Sequence, residues 1–295
     1  MASPELPAVA FVGLGNMGWP MAGHLVAAGF PVVAVDADPE RPARFADEIG
    51  GAAYADPSQL AEVRAVVLML PTSAVVRDVM IGTTDLASSL TPGTVVVDMS
   101  SSDPQDTREL AEALRGRDLP LVDAPVSGGV ARAIEGTLTI MLGADDESAA
   151  AMAETVVGPL SREVVRTGGA GTGHAMKALN NFIAGTCFVA TSEALIAGQR
   201  WGLSRETMVQ IINTSTGRSF ISELVMPTVL SEEYVTGFAL GLLAKDVRIA
   251  DGLLKHVGVP SEVCDAVRNR LGSAEAELGS AADHARAFET WSNAG

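Results

Sequence analysis

The chain has 295 residues, 47% hydrophobic and 19% charged, a globular composition with room for one or two packed cores and no signature of disorder. Its formal net charge of −16 is spread along the chain, so no basic stripe exists to displace counterions from a nucleic acid. Two cysteines, Cys187 and Cys264, give no disulfide framework and fit a reducing, cytoplasmic setting.

The opening residues carry no basic stretch and pass straight into an apolar run at 8–12, so no secretory signal is expected. That run reads as a buried strand ending at Gly13. Glycines 13, 15 and 18 follow in the G-x-G-x-x-G spacing, ahead of a helix expected from about Asn16 to Ala28. In such a turn the first glycine permits the bend and the second lets backbone approach a pyrophosphate. The third lets helix pack on strand. The helix N-terminus adds unpaired N–H groups and a positive dipole. A second strand at 31–35 ends in Asp36, where a carboxylate can accept both ribose hydroxyls of NAD and repel the 2′-phosphate of NADP. Ala37 follows in place of the arginine that NADP favours, with Arg41 a few residues on. The expected cofactor is NAD.

Further strands are expected at 64–70, 94–98, 119–123, 138–142 and 162–166, with helices between them. Ser102 or Asp103 caps the helix that Pro104 opens, and Asp145 or Asp146 caps a later one. This alternation predicts an α/β fold with a doubly wound, largely parallel sheet through about residue 167. Ligands in such sheets lie at the carboxyl ends of strands, where loops 71–75, 98–102 and 123–129 fall. Ser127, Gly128 and Gly129 open a helix after a strand. Their N–H groups and hydroxyl can converge on a carboxylate, and Ser127 can equally cap the helix.

From Gly168 the strand signal stops. A proline-free apolar run follows Gly173, long enough for seven or eight turns and with few charges before Gln199. Most of its faces therefore need cover. Lys177 and Asn181, at i and i+4, share one face. Gly173 and Gly185, one turn to either side, would leave that face open as the floor of a site. Cys187 is expected as a buried thiol on the same helix. Amphipathic patterns at 205–213, 238–257 and 261–278 complete a helical second domain. No uninterrupted apolar run reaches the ~20 residues needed to span a bilayer, so no membrane partner is expected. His24, His174, His256 and His284 lack metal-ligand spacing.

Five motifs occur in order and cover almost the whole chain. They are G-L-G-N-M-G-x-x-M-A (13–22), D-x-S-S (98–101), D-A-P-V-S-G-G with A-x-x-G-T-L (123–138), G-x-G-x-x-x-K-x-x-N-N (171–181) and K-D-V-x-x-A (245–250). Together they resemble the β-hydroxyacid dehydrogenases, the group of 3-hydroxyisobutyrate dehydrogenase and tartronate semialdehyde reductase. The resemblance implies a Rossmann-type domain over 1–167 and an all-helical domain over 168–295, joined by a long interdomain helix. It also implies NAD or NADP as cofactor, and a homo-oligomer, dimer or tetramer, built on that helix.

By matching position, Lys177 looks like the catalytic residue and Asn181 its partner. Ser127, Gly128 and Gly129 look like a cradle for the substrate carboxylate, with Phe220 and Lys245 beside the substrate. Cofactor contacts are expected at Gly13, Gly15, Asn16, Met17, Gly18, Asp36, Leu70, Pro71, Ser101, Lys245 and Asp246. Ser101 keeps the hydroxyl where many relatives have threonine. Phe220 stands where relatives acting on hydroxyisobutyrate often have tryptophan. A wall of Phe220, Ile221 and Leu224 would favour a substrate with a small apolar branch. An ordinary lysine titrates too high to be a base at neutral pH, and apolar surroundings favour its neutral form. The expected activity is NAD-dependent oxidation of a small 3-hydroxy acid, without a metal. Tartronate or succinic semialdehyde reduction and threonate oxidation are alternatives within the family. Outside it, the alternative is a non-catalytic dinucleotide-binding module.

Overall fold

The computed structural model describes residues 6–54 and 57–293. The chain divides into two compact units, Met1–Lys177 and Ala178–Gly295.

In the first unit the elements run β1 (Val9–Val12), α1 (Gly18–Ala27), β2 (Val32–Val35), α2 (Glu40–Glu48), β3 (Ala52–Ala53), β4 (Ala65–Leu68), α3 (Ser73–Ile81) and β5 (Val95–Asp98). They continue with α4 (Pro104–Arg115), β6 (Leu121–Asp123), β7 (Val126–Ser127), α5 (Gly129–Glu135), β8 (Leu138–Ala144), α6 (Glu147–Val157) and β9 (Ser161–Gly168). The strands form one sheet in the order β3-β2-β1-β4-β5-β6-β8-β7, with β9 beside β8. From β3 to β6 every pairing is parallel, and β8 turns antiparallel to β6 and β7. β1, β4 and β5 are buried at every position. Their Val, Ala and Leu runs are what a strand covered on both faces requires.

Helix starts follow local chemistry. Asp103 caps α4 through Gln105 N, with Pro104 in the first turn, and Asp146 caps α6 through Ala149 N. α1 begins at Gly18, two residues later than the sequence suggested. Residues 15–17 form a turn instead, closed by Trp19 N donating to Gly15 O at 2.9 Å.

α7 (Thr172–Arg200) starts in the first unit and continues into the second. By length and composition alone it could cross a bilayer, although 39% of its most apolar window is buried. This is the long helix expected from the sequence, and Lys177, Asn180 and Asn181 keep it from being an uninterrupted apolar run.

The second unit adds α8 (Arg205–Asn213), a π-turn over Ile221–Val225, α9 (Met226–Leu230), α10 (Leu240–His256), α11 (Glu262–Leu278) and α12 (Ala287–Asn293). The π-turn meets Pro227, which has no N–H to continue a regular helical ladder. Phe188, Leu195, Val247, Leu271 and Phe288 lie at the centre of the core. His284 is buried among them, its ring edge-on to Phe188 at 5.1 Å and to Phe238 at 5.8 Å. Burial pushes its imidazole below the ordinary value. Cys264 is buried, and burial pushes its thiol up, whereas Cys187 is only half-buried.

Candidate active site

In the first unit the glycine-rich turn has the shape a dinucleotide needs. Gly13 sits at φ 99°, and a Cβ there would overlap the carbonyl oxygen of Met69. A Cβ on Gly18 would overlap the carbonyl oxygen of Gly13, while one on Gly15 would meet nothing within 4 Å. Two glycines are therefore spent on packing and one leaves backbone open to a ligand. No side chain caps α1 and no acid occupies its first turn, so its dipole and N–H groups suit a pyrophosphate. Asn16 is exposed and Met17 partly so.

Asp36 directly follows β2 and has a structural task as well. Its Oδ2 accepts from Leu14 N at 2.6 Å and its Oδ1 from Asp38 N at 2.9 Å, with the side chain 8% exposed. The carboxylate thus ties the glycine turn to β2. Arg41 Nη1 stands 3.6 Å from Asp36 Oδ1, beside the place expected for the ribose.

The loops after β4, β5 and β6 converge at the carboxyl edge of the sheet. Ser100 Oγ accepts from Leu70 N at 3.0 Å. Asp98 accepts from Ser100 N at 3.0 Å and from the Ser102 hydroxyl at 2.9 Å. Leu70 and Ser101 are partly exposed and Pro71 is exposed. Asp123, fully buried at the end of β6, accepts from Gly171 N at 2.7 Å and His174 N at 2.9 Å. Burial pushes its carboxyl upward, opposed by the His174 ring and these N–H donors. It caps α7 from another element, which carries the first turn of that helix, and Lys177 after it, into the first unit. The compact unit accordingly ends at Lys177, past the end of β9 at Gly168.

Sequence reasoning missed His174. Its ring is buried, with Nδ1 2.8 Å from Thr107 Oγ1 and Nε2 3.0 Å from Ser100 O. These partners come from α4 and the loop after β5, so no spacing within a motif could have pointed to them.

Gly173 does not open a floor for a ligand. A Cβ there would overlap Met141 O and crowd Asp123, so this glycine lets α7 seat against β6 and β8. Gly185 faces Val247, Val267 and Leu271 and serves packing in the second unit.

Ser127 ends β7, followed by Gly128 at φ 135° and Gly129 at φ 66°. No side chain caps α5, which removes the helix-cap reading of Ser127. Ser127 and Gly128 are partly exposed and Gly129 is exposed. Lys177 lies on the second turn of α7 and is partly buried.

In the second unit, Asn181 is buried and its Nδ2 donates to Asp246 Oδ2 at 2.6 Å. Lys245 Nζ is 3.7 Å from Asp246 Oδ1, with the lysine side chain 18% exposed. Asp246 is an interior group, 2% exposed, that holds the Asn181 amide. Phe220 is 61% exposed and Leu224 57%, whereas Ile221 is buried at 5%. Ile221 therefore leaves the expected apolar wall for the core of its own unit. Among the described residues, no group of three or more His, Cys, Asp or Glu side chains could hold a metal ion.

Two family models match the chain. Residues 8–168 match the NAD binding domain of 6-phosphogluconate dehydrogenase, and residues 171–291 the NAD-binding domain of NADP-dependent 3-hydroxyisobutyrate dehydrogenase. A probable mitochondrial 3-hydroxyisobutyrate dehydrogenase of Dictyostelium discoideum is 33% identical, over 88% of this chain and 83% of its own length. The 2-(hydroxymethyl)glutarate dehydrogenase of Eubacterium barkeri is 36% identical, over 85% of this chain and 84% of its own. Among solved structures, the 3-hydroxyisobutyrate dehydrogenase of Mycobacterium tuberculosis with L-serine superposes with a TM-score of 0.89. It is 30% identical and covers 97% of this chain and 99% of its own.

Proposed function

Because the chain belongs to the β-hydroxyacid dehydrogenase family, we propose that it oxidises 3-hydroxyisobutyrate, or a close 3-hydroxy acid, with NAD and with Lys177 as general acid and base. The enzyme is a nicotinamide-dependent dehydrogenase acting on the CH–OH group of a hydroxy acid. The observation that carries the residue assignment lies in the first unit. Asp123 binds the first turn of α7 to the end of β6, which runs parallel to β1 within the sheet. Lys177, one turn further along α7, is thereby brought to the sheet edge at which the glycine turn opens. That is the edge where such sheets bind ligands.

The bound nicotinamide supplies a hydride acceptor for oxidation and a hydride donor for reduction. The glycine turn and uncapped α1 hold the pyrophosphate, and Asp36 the adenine-side ribose. Loops 70–71 and 100–101 face the rest of the cofactor. Ser127 with the backbone of Gly128 and Gly129 receives the substrate carboxylate. In oxidation the neutral Lys177 amine takes the hydroxyl proton. In reduction its ammonium gives that proton to the developing alkoxide. Asn181, four residues along α7, orients the substrate oxygen, its own amide fixed by Asp246. From the family resemblance we assign Lys245 as positive charge for the anionic substrate.

We favour NAD over NADP because Asp36 stands at the ribose position and Ala37 follows it, and Arg41, 3.6 Å from Asp36, is the nearby cation set against that choice. From the family resemblance we assign Phe220 and Leu224 to an apolar substrate branch, worth roughly 1–3 kcal/mol per methylene-sized group. We assign assembly as a homo-oligomer to α7, on which Ile183 is 58% exposed. A reducing cytoplasm would keep Cys187 and Cys264 as thiols.

The test compares 3-hydroxyisobutyrate, glycerate, threonate and L-serine with NAD at one pH, following NADH formation. The expected order puts 3-hydroxyisobutyrate first in kcat/KM. A better rate with glycerate or threonate removes Phe220 from the pocket, and no NADH from any of the acids removes the whole reading.

A further inference from the structure

Resting on the assignment of Lys177 above, we propose that His174 is a positioning residue for the reaction. Its Nε2–H···O=C bond to Ser100 sets the loop after β5 against the first turn of α7, which leads into the turn that carries Lys177.

The hydrogen-bond chemistry fixes the ring. Ser100 O lies 3.0 Å from Nε2, and a carbonyl only accepts, so Nε2 carries a proton whatever the charge of the imidazole. At Nδ1 the partner is the Thr107 hydroxyl at 2.8 Å. That hydroxyl has a second acceptor, Asp103 O at 2.9 Å. It can therefore donate to a neutral ring or accept from a charged one. The Ser100 bond persists in both states.

Each end of this bond is anchored independently. Ser100 N donates to Asp98 and Ser100 Oγ accepts from Leu70 N, so the loop is tied to the end of β4 as well as β5. His174 N donates to Asp123 at the end of β6. Side chain and backbone of one residue thus join the ends of three neighbouring strands to α7. Lys177 follows His174 by three residues, on the adjoining turn of the same helix side. The loop contains Ser101, assigned above to the cofactor. A shift between loop and helix moves the amine relative to the reacting carbon, and about 1 Å of such misplacement costs on the order of 100-fold in rate.

A core-packing role for His174 makes different predictions. Gln can present its amide nitrogen near the position of Nε2, whereas Asn reaches only as far as Nδ1. His174→Gln should therefore keep kcat within about threefold of wild type, while His174→Asn loses roughly 10- to 100-fold. The NAD dissociation constant, measured by titration, should stay within about threefold in both, because the glycine turn supplies the main grip on the dinucleotide. Thr107→Val removes the Nδ1 partner and leaves the Ser100 bond. It should lower the melting temperature and leave kcat within about threefold.

An independent readout is ¹⁵N NMR of the imidazole in the wild-type protein, which should show a protonated Nε2. Four results each overturn the proposal: wild-type kcat in His174→Asn, no advantage of Gln over Asn, an equal loss in Thr107→Val, or an unprotonated Nε2. A wild-type protein that oxidises no 3-hydroxy acid overturns the dehydrogenase reading instead. The NMR and melting measurements then decide the hydrogen-bond assignment separately.

Discussion

Gly173→Ala sets two rules against each other. Glycine to alanine inside a helix ordinarily stabilises by about 1 kcal/mol, and Gly173 is not among the positive-φ glycines. The new Cβ, however, would overlap Met141 O and lie 2.8 Å from Asp123 Oδ2 and 3.0 Å from Asp123 O. Two of these are backbone atoms of β8 and β6, which cannot swing aside. The first turn of α7 must lift, stretching the bonds from Gly171 N and His174 N to Asp123. Hydrogen bonds to a charged group contribute about 1.5–3 kcal/mol each. Loosening both, less the gain in propensity, leaves a net loss of about 2–5 kcal/mol. Urea unfolding followed by far-UV circular dichroism measures it. Gly185→Ala is the control, since its Cβ would meet only side-chain atoms at 3.3–3.6 Å, and its midpoint should hold or rise. A Gly173→Ala protein as stable as wild type would refute the claim that this glycine seats the helix.

Lys177→Ala should lower kcat by several orders of magnitude with NAD binding nearly intact, read by steady-state kinetics and cofactor titration. For the cofactor, Asp36→Ala should narrow the preference for NAD and also weaken both cofactors, because Leu14 N loses its acceptor. Arg41→Ala should reduce whatever NADP activity exists, and unchanged NADP kinetics would clear Arg41 of a role. His284, held below its ordinary value by burial, binds a proton more readily unfolded than folded. Its contribution to stability is therefore complete above about pH 6.5 and is lost as pH falls towards the folded value. Thermal melts from pH 7 to 5 should show that loss, and His284→Phe should show less of it.

The parallel sheet was legible because its inner strands must be apolar on both faces. Val95–Asp98 and Ala65–Leu68 depart from the expected ranges only at their ends. Two-residue strands such as β3 and β7 carry too few side chains to show a pattern. The π-turn and α9 were hidden because Pro227 breaks the helical period within Ile221–Leu230. Of the candidate site, the glycine turn and the Lys177/Asn181 pair could be read because each is local, its members within one turn or one helix. His174 could not, and for Asp246 the sequence suggested a cofactor contact but not its hold on Asn181. Each acts through a partner across the fold, Ser100 74 residues from His174 and Asn181 65 residues from Asp246. A neighbouring Lys-Asp pair looks in sequence like a solvated face, and only packing shows that Asp246 is interior.

The carboxylate of Asp123 also bears on how the protein emerges from the ribosome. Its two N–H partners lie 48 and 51 residues later in the chain. Until Gly171 to His174 have been synthesised, a sheet already built from β1 to β6 would enclose an acid with neither donor present, a costly state. The family models meet between residues 168 and 171, an inviting place to cut a minimal dinucleotide-binding fragment. A fragment ending at Gly168 would lack both donors and His174, and one carried on through Lys177 would include them. The nascent nucleotide-binding half therefore reaches its final packing only when the first turns of the following helix arrive.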